Sequence, residues 1–241
     1  MSEKVIKTRQ DGAIATVTID RAAEGNMLTV EMLVELSAEV RRLGGTDANV
    51  MVLRSTGEAF CRGRDVRNAK PAPTALAVRA SVVAPILDVY DALANLPIPV
   101  IVAVQGPALG FGCALATAGD VTIASEQARF QLPEMDKNLP PTLAISAMMT
   151  RVPRKALTWL VYSMQTVDAG TALDLGMVSR VVPHGELDRS VDELATAMAT
   201  RSRPALVAVK DYFRSAPQME GRGAADFAGN LLATVLASAR G

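Results

Sequence analysis

Three short runs, Val50-Met-Val-Leu-Arg54, Val100-Ile-Val-Ala-Val104 and Val121-Thr-Ile-Ala124, are almost wholly apolar, and helical patterns lie between them. A strand that is apolar on both faces must be covered on both. Strands that alternate with helices build a largely parallel sheet through crossover connections. Ala13–Ile19 alternates and reads as a further strand with one threonine-lined face. Leu28, Met32, Leu33, Leu36, Val40 and Leu43 form one helical stripe, with Thr29 as N-cap and Gly44-Gly45 at its end. A second long helical region is expected from about Thr74 to Asn95, and a short one from about Phe111 to Thr117. From residue 142 onward strands nearly vanish, Ser179–Val182 being the late candidate. The segments 142–150, 153–161, 168–175, 186–200, 204–214 and 223–239 read as helices.

The bulk numbers then exclude several classes. Hydrophobic residues make up 49% and charged residues 21% of 241, as expected of a chain with a core. Its 25 basic and 25 acidic side chains cancel, which gives no support for a nucleic-acid or anionic-membrane surface. The two cysteines, Cys61 and Cys113, form no CxxC pair, so a reducing compartment fits best. The N-terminal MSEKVIKTRQDG is polar, and no apolar run reaches the roughly 18 residues a membrane span needs. A cytoplasmic protein is therefore expected.

The segment "GPALGFGCALATAGD", residues 106 to 120, is a glycine-rich turn leading into a helix. It is not a P-loop, because no Gly-Lys pair occurs in the chain. It is not a dinucleotide fingerprint, because Leu115 stands where the third glycine belongs. Free backbone N–H groups at such a helix start suit a developing oxyanion. Close helix–strand packing through small residues is the plainer reading. A second glycine-bearing turn, "STGEAFCRGRDV" (55–66), also follows a strand, and "ARFQLPEMDKNLPP" (128–141) places Glu134 after a proline.

These segments, in this order and spacing, resemble the crotonase (enoyl-CoA hydratase/isomerase) superfamily. "AFCRGRDV" resembles its first oxyanion loop and "PVIVAVQGPALGFGCALATAGDVTIAS" its second. "ARFQLPE" resembles its acid/base segment, and "GMVSRVVPHGEL" the link to its C-terminal helices. The resemblance covers nearly the whole chain. It implies an α/β fold: a crotonase-like spiral of repeated strand-strand-helix turns over residues 1–185, and a C-terminal helical trimerisation region over 186–241. It also implies an acyl-CoA thioester as substrate, no cofactor beyond the coenzyme A carried by that substrate, no metal, and a homotrimer or dimer of trimers.

Carried over residue by residue, the resemblance makes the amides of Arg64 and Phe111 the two oxyanion donors, with Gly110 shaping the second loop. It puts CoA contacts at Arg21, Met27, Leu28 and Asp65. The hydratases use two glutamates; Glu134 matches one, but the other position holds Ala114. A single glutamate suits an isomerase that moves a proton from C2 to C4 of a 3-enoyl thioester. A one-carboxylate hydratase or hydratase-lyase, or an inactive CoA-thioester binder, are the alternatives. The Arg64 side chain reads as a solvated loop residue or as a partner for Asp65, Glu58 or a substrate carboxylate. Asp136, two residues after Glu134, would face the same side in an extended segment, although a role in the loop or with Lys137 fits too. Asp120 reads as structural. Lys210 reads as an exposed lysine or a phosphate contact. His184, the sole histidine, is expected in an exposed turn, which argues against a hydrolytic triad.

Overall fold

The computed structural model describes residues 4–68 and 72–238. Its main sheet has six strands: β1 (Ile6–Asp11), β2 (Ile14–Ile19), β3 (Val50–Ser55), β4 (Val100–Val104), β6 (Val121–Ser125) and β9 (Arg180–Val182), side by side in that order. Between them in sequence, β5 (Pro107–Leu109), β7 (Arg129–Gln131) and β8 (Val167–Asp168) form a smaller sheet in the order β5-β7-β8. In the main sheet only β1 and β2 are antiparallel; every other neighbouring pair is parallel, as the apolar runs require.

The described residues also form ten α-helices: α1 (Val30–Gly44), α2 (Ala75–Val78), α3 (Ala84–Asn95), α4 (Phe111–Thr117), α5 (Thr142–Met148), α6 (Arg154–Ser163), α7 (Ala169–Asp174), α8 (Leu187–Ala199), α9 (Arg203–Ser215) and α10 (Gly221–Ser238). The Thr29 hydroxyl caps α1 by accepting from the Met32 amide at 3.4 Å, and Gly45 closes it. The expected Thr74–Asn95 helix is two helices joined by a π-helical turn, Arg79–Val83. Pro85 lies in the first turn of α3; it has no N–H to donate, and its ring crowds the preceding turn, so a locally widened helix accommodates it.

Alternation along the strands splits the core between the two sheet faces. Val17, Ile19, Met51, Leu53, Val100 and Val102 pack toward α1 and α3. Val50, Val52, Ile101, Ala103 and Ile123 pack against Leu187, Val191 and Ala195 of α8. Within 186–241, therefore, α8 is a layer of the sheet's own sandwich, whereas α9 and α10 pair with each other. In that pair Tyr212 and Phe227 stack with ring centroids 6.1 Å apart. Strand β1 was hidden in the polar N-terminal stretch because it is an edge strand of which Ile6 alone is fully buried.

Lys210 is neither an exposed lysine nor a phosphate contact. It is buried, and its Nζ donates to the carbonyls of Leu93 and Ile98 at 3.0 and 2.9 Å and meets Asp120 at 2.8 Å. Asp120 in turn accepts the Val100 amide at 2.7 Å, so the pair ties the start of β4 to α3 and α9. Lys210→Met should lower stability by about 2 kcal/mol, because two buried carbonyls lose their donor. The loss is read as a fall in Tm in thermal denaturation, with no change in fold by circular dichroism.

Candidate active site

The site is assembled by two loops stitched together through the backbone. Cys61 donates its N–H to the Pro107 carbonyl at 3.1 Å, and Leu109 donates to the Cys61 carbonyl at 2.9 Å. Cys61 and Ala108 thus form an isolated parallel bridge that lays the first loop against β5. Gly112 lies against the Cys61 carbonyl so closely that any Cβ there would overlap it. A second bridge joins Leu28 to Arg64: Leu28 donates to the Gly63 carbonyl at 3.1 Å and Asp65 donates to the Leu28 carbonyl at 2.9 Å.

That second bridge decides where the Arg64 amide points. In a parallel bridge the partner is bonded by the residues before and after the bridged one, whose own N–H faces away. Among the described residues the Arg64 amide has no protein acceptor. Phe111 is the first residue of α4, where N–H groups have no acceptor within the helix, and its amide is likewise free. Gly110 before it takes φ 53 and ψ −116, a conformation that L residues avoid, and donates its N–H to the Gln131 carbonyl at 2.9 Å. Two unspent donors therefore lie on loops held against each other.

Glu134 opens a short 3-10 turn, Glu134–Lys137, after β7. Its carboxylate packs on Gly110: a Cβ built there would stand 2.8 Å from Oε1. The other oxygen, Oε2, is buried without a hydrogen-bond partner. Burial pushes the Glu134 carboxyl above its usual range, opposed more weakly by its own backbone N–H and by Lys137. Ala114 sits one helical turn into α4, fully buried, where all seven residues of that helix are enclosed. Among the described residues, the site therefore holds a single carboxylate.

Asp136 does not join it. The segment is not extended: each residue of a 3-10 turn advances about 120°, so Asp136 swings away from Glu134 and is exposed. The Arg64 guanidinium pairs with neither Asp65 nor Glu58 and is not a solvated surface group. It is half-buried, its Nε has no acceptor, and burial lowers its pKa. Asp65 instead takes Arg21 at 2.8 Å and Arg67 at 2.6 Å, which hold its carboxyl well below the usual range. Arg21, Arg64, Asp65 and Arg67 all border a cleft of about 1220 Å³ that runs past α2.

Of the other expected CoA contacts, Met27 accepts Arg21 Nη1 on its carbonyl at 2.6 Å, and Leu28 is buried with both backbone groups engaged by Gly63 and Asp65. Both lie beside Arg21 and Asp65, and the Leu28 side chain itself belongs to the core. His184 is exposed, yet its Nδ1 lies 2.9 Å from Ser125 Oγ. Ser125 is fully buried and accepts the Gln127 amide, so the pair braces a turn and offers no accessible nucleophile.

Two residues that matter here were not among the site residues expected from the sequence. Asn26, at φ 55 and buried, donates to the Thr56 and Ala59 carbonyls at 2.8 and 2.7 Å and accepts the Arg21 amide, fixing the loop after β2 to the loop after β3. Tyr90 of α3 stacks on Phe111 with centroids 5.7 Å apart. Burial and the nearby Cys113 and Glu134 push its phenol up, keeping it neutral. Cys61 and Cys113 are both free and buried, and burial pushes the Cys61 thiol to about 12. No group of three or more potential metal-ligating side chains, and no helix long and apolar enough to cross a membrane, occurs among the described residues.

Comparison with known proteins gives this geometry a context. The enoyl-CoA hydratase/isomerase family profile matches residues 9–239. A probable enoyl-CoA hydratase of Mycobacterium tuberculosis, echA8, is 31% identical over 221 residues, 89% of this chain and 84% of that protein. The 2,3-dehydroadipyl-CoA hydratase of Escherichia coli is 32% identical over 222 residues, 91% of this chain and 84% of that protein. The crystal structure of an enoyl-CoA hydratase from Mycobacterium smegmatis superposes with a TM-score of 0.92 at 28% identity, over 97% of this chain and 91% of that one.

Proposed function

We propose, from the premise that the chain belongs to the enoyl-CoA hydratase/isomerase family and acts on an acyl-CoA thioester, that it is an isomerase-type enzyme in which Glu134 alone moves the proton. The observation that carries this reading is the single half-buried carboxylate, with Oε2 buried and unpartnered and Ala114 where a second acid would stand.

In this mechanism the thioester oxygen of a 3-enoyl-CoA accepts from the Arg64 and Phe111 amides. Glu134 removes a proton from C2, and the electron pair moves into a dienolate whose negative charge rests on that oxygen. The carboxylic acid returns the same proton to C4, the double bond settles between C2 and C3, and Glu134 is again a carboxylate. Two preorganised donors in a site with little water supply several kcal/mol to the enolate. A carboxyl with a raised pKa is better matched to the weak carbon acid. No cofactor enters any step.

The second reading is hydration of a 2-enoyl-CoA by one carboxylate, favoured by the hydratase names of the similar proteins. Incubation with a 3-enoyl-CoA and, separately, a 2-enoyl-CoA separates the two. Appearance of the conjugated 2-enoyl chromophore from the first supports the isomerase; water addition to the second overturns it in favour of the hydratase. Turnover of neither, with CoA thioesters still bound, would make the protein a binder. The reading further includes a cytoplasmic homotrimer or dimer of trimers. Support for the oligomer is an uncovered apolar groove of about 320 Å³ between α9 and α10, bordered by Val209, Tyr212, Leu231, Leu232 and Val235.

A further inference from the structure

The reaction above gives the Arg64 amide a task and leaves its side chain without one. An arginine drawn half out of water forfeits hydration, and an unmet guanidinium donor is costly unless something else satisfies it. Nothing among the described residues does so: Nε is buried without an acceptor, and no carboxylate lies within ion-pair distance. The neighbouring charges are already committed. Arg21 and Arg67 share Asp65. Glu31, exposed at the rim of the cleft, is held by the Thr29 hydroxyl and by backbone. Arg64 is thus the one arginine bordering the cleft that has no carboxylate partner among the described residues. The cleft wall also carries the apolar Val30, Val34, Ala77, Ala80 and Val82, together with Thr29, Asn68 and Ser81.

We infer that Arg64 receives an anion at the far end of the acyl chain, and that the preferred substrates are CoA thioesters whose acyl group ends in a second carboxylate. The inference rests on the reading above for its CoA thioester. A side chain springing from the residue that donates to the thioester oxygen reaches one arginine length from that oxygen. A terminal carboxylate a few carbons away falls within that span, with the methylenes between them against the apolar wall. The guanidinium fork matches a carboxylate in two parallel hydrogen bonds, a geometry that lysine cannot reproduce. The other anion a CoA thioester carries is phosphate, and the experiment has to separate the two sources.

Calorimetric binding of CoA, hexanoyl-CoA and adipyl-CoA to the wild type, Arg64→Met and Arg64→Lys does so. The wild type should bind adipyl-CoA about tenfold or more tighter than hexanoyl-CoA, as a charge-assisted pair predicts. Arg64→Met should abolish that ratio, and Arg64→Lys should keep part of it. A wild type without the preference, or an Arg64→Met protein that retains it, overturns the inference. If Arg64→Met weakens all three ligands by one factor, Arg64 holds phosphate, and the inference is likewise overturned. Both acyl groups are saturated, so the result does not depend on turnover. An enzyme that fails to isomerise 3-enoyl-CoA yet prefers adipyl-CoA would sink the proton-shuttle reading alone.

Discussion

Glu134→Gln should lower kcat on a 3-enoyl-CoA by about 10³- to 10⁴-fold, the scale of removing a sole general base. The same protein should be at least as stable as the wild type. Burial raises the folded-state pKa of Glu134 above its ordinary 4.5, so the native state binds this proton more tightly than the unfolded chain does. Linkage then fixes the sign: below the ordinary value the group costs nothing, and stability declines as pH rises from 4.5 through the raised folded pKa. Above that window the wild type carries a half-buried carboxylate with an unmet oxygen, and glutamine relieves it of the charge. The acid limb of kcat/KM on the wild type should accordingly fall at a pH above 4.5. Loss of activity with a Tm equal or higher marks Glu134 as a chemical group; a fall in Tm would mark it as structural and sink the assignment. Stopped assays across pH and differential scanning fluorimetry on one pair of proteins supply both readings.

The contrast between what the residues announced and what they concealed follows from the range of each interaction. The parallel strands were legible because burial on both faces leaves a continuous apolar run, and β3, β4 and β6 fall where those runs lie. The helix starts at Thr29 and Phe111 were legible from local cap and glycine chemistry. The sheet of β5, β7 and β8 was not, because strands of two or three residues are too short to show a period. Glu134 and the two amides were reached through motif resemblance; spacing alone left packing and oxyanion binding open. The states of Arg64, Asp136 and Lys210 were out of reach for a different reason. Each depends on which groups the fold brings from far along the chain, or on a local turn type. Arg64 is isolated because Arg21, 44 residues away from Asp65, takes the carboxylate nearest to it in sequence. Lys210 is buried because Leu93 and Ile98, 117 and 112 residues away, present their carbonyls to it.

Gly110→Ala should cost activity on a scale about tenfold smaller than Glu134→Gln, and with the opposite effect on stability. At φ 53 and ψ −116 an alanine is strained by about 1–3 kcal/mol. Its Cβ would also stand 2.8 Å from Glu134 Oε1, closer than carbon and oxygen tolerate without movement. Either the carboxylate retreats from the site or the turn shifts, and the turn carries the Phe111 amide. Loss or misplacement of one oxyanion donor alone lowers kcat by about 10²- to 10³-fold. The expected protein is therefore both slower and less stable, with a lower Tm. The two substitutions should combine non-additively, because both act through the meeting of Gly110 with Glu134. In Gly110→Ala/Glu134→Gln the alanine should have little activity left to remove. Its strain at φ 53 should persist, since that belongs to the backbone and not to the carboxylate. Independent, multiplicative losses of kcat in the double variant would show that Gly110 acts through the Phe111 amide alone. Near-complete masking would show that the glycine is there to let the carboxylate in.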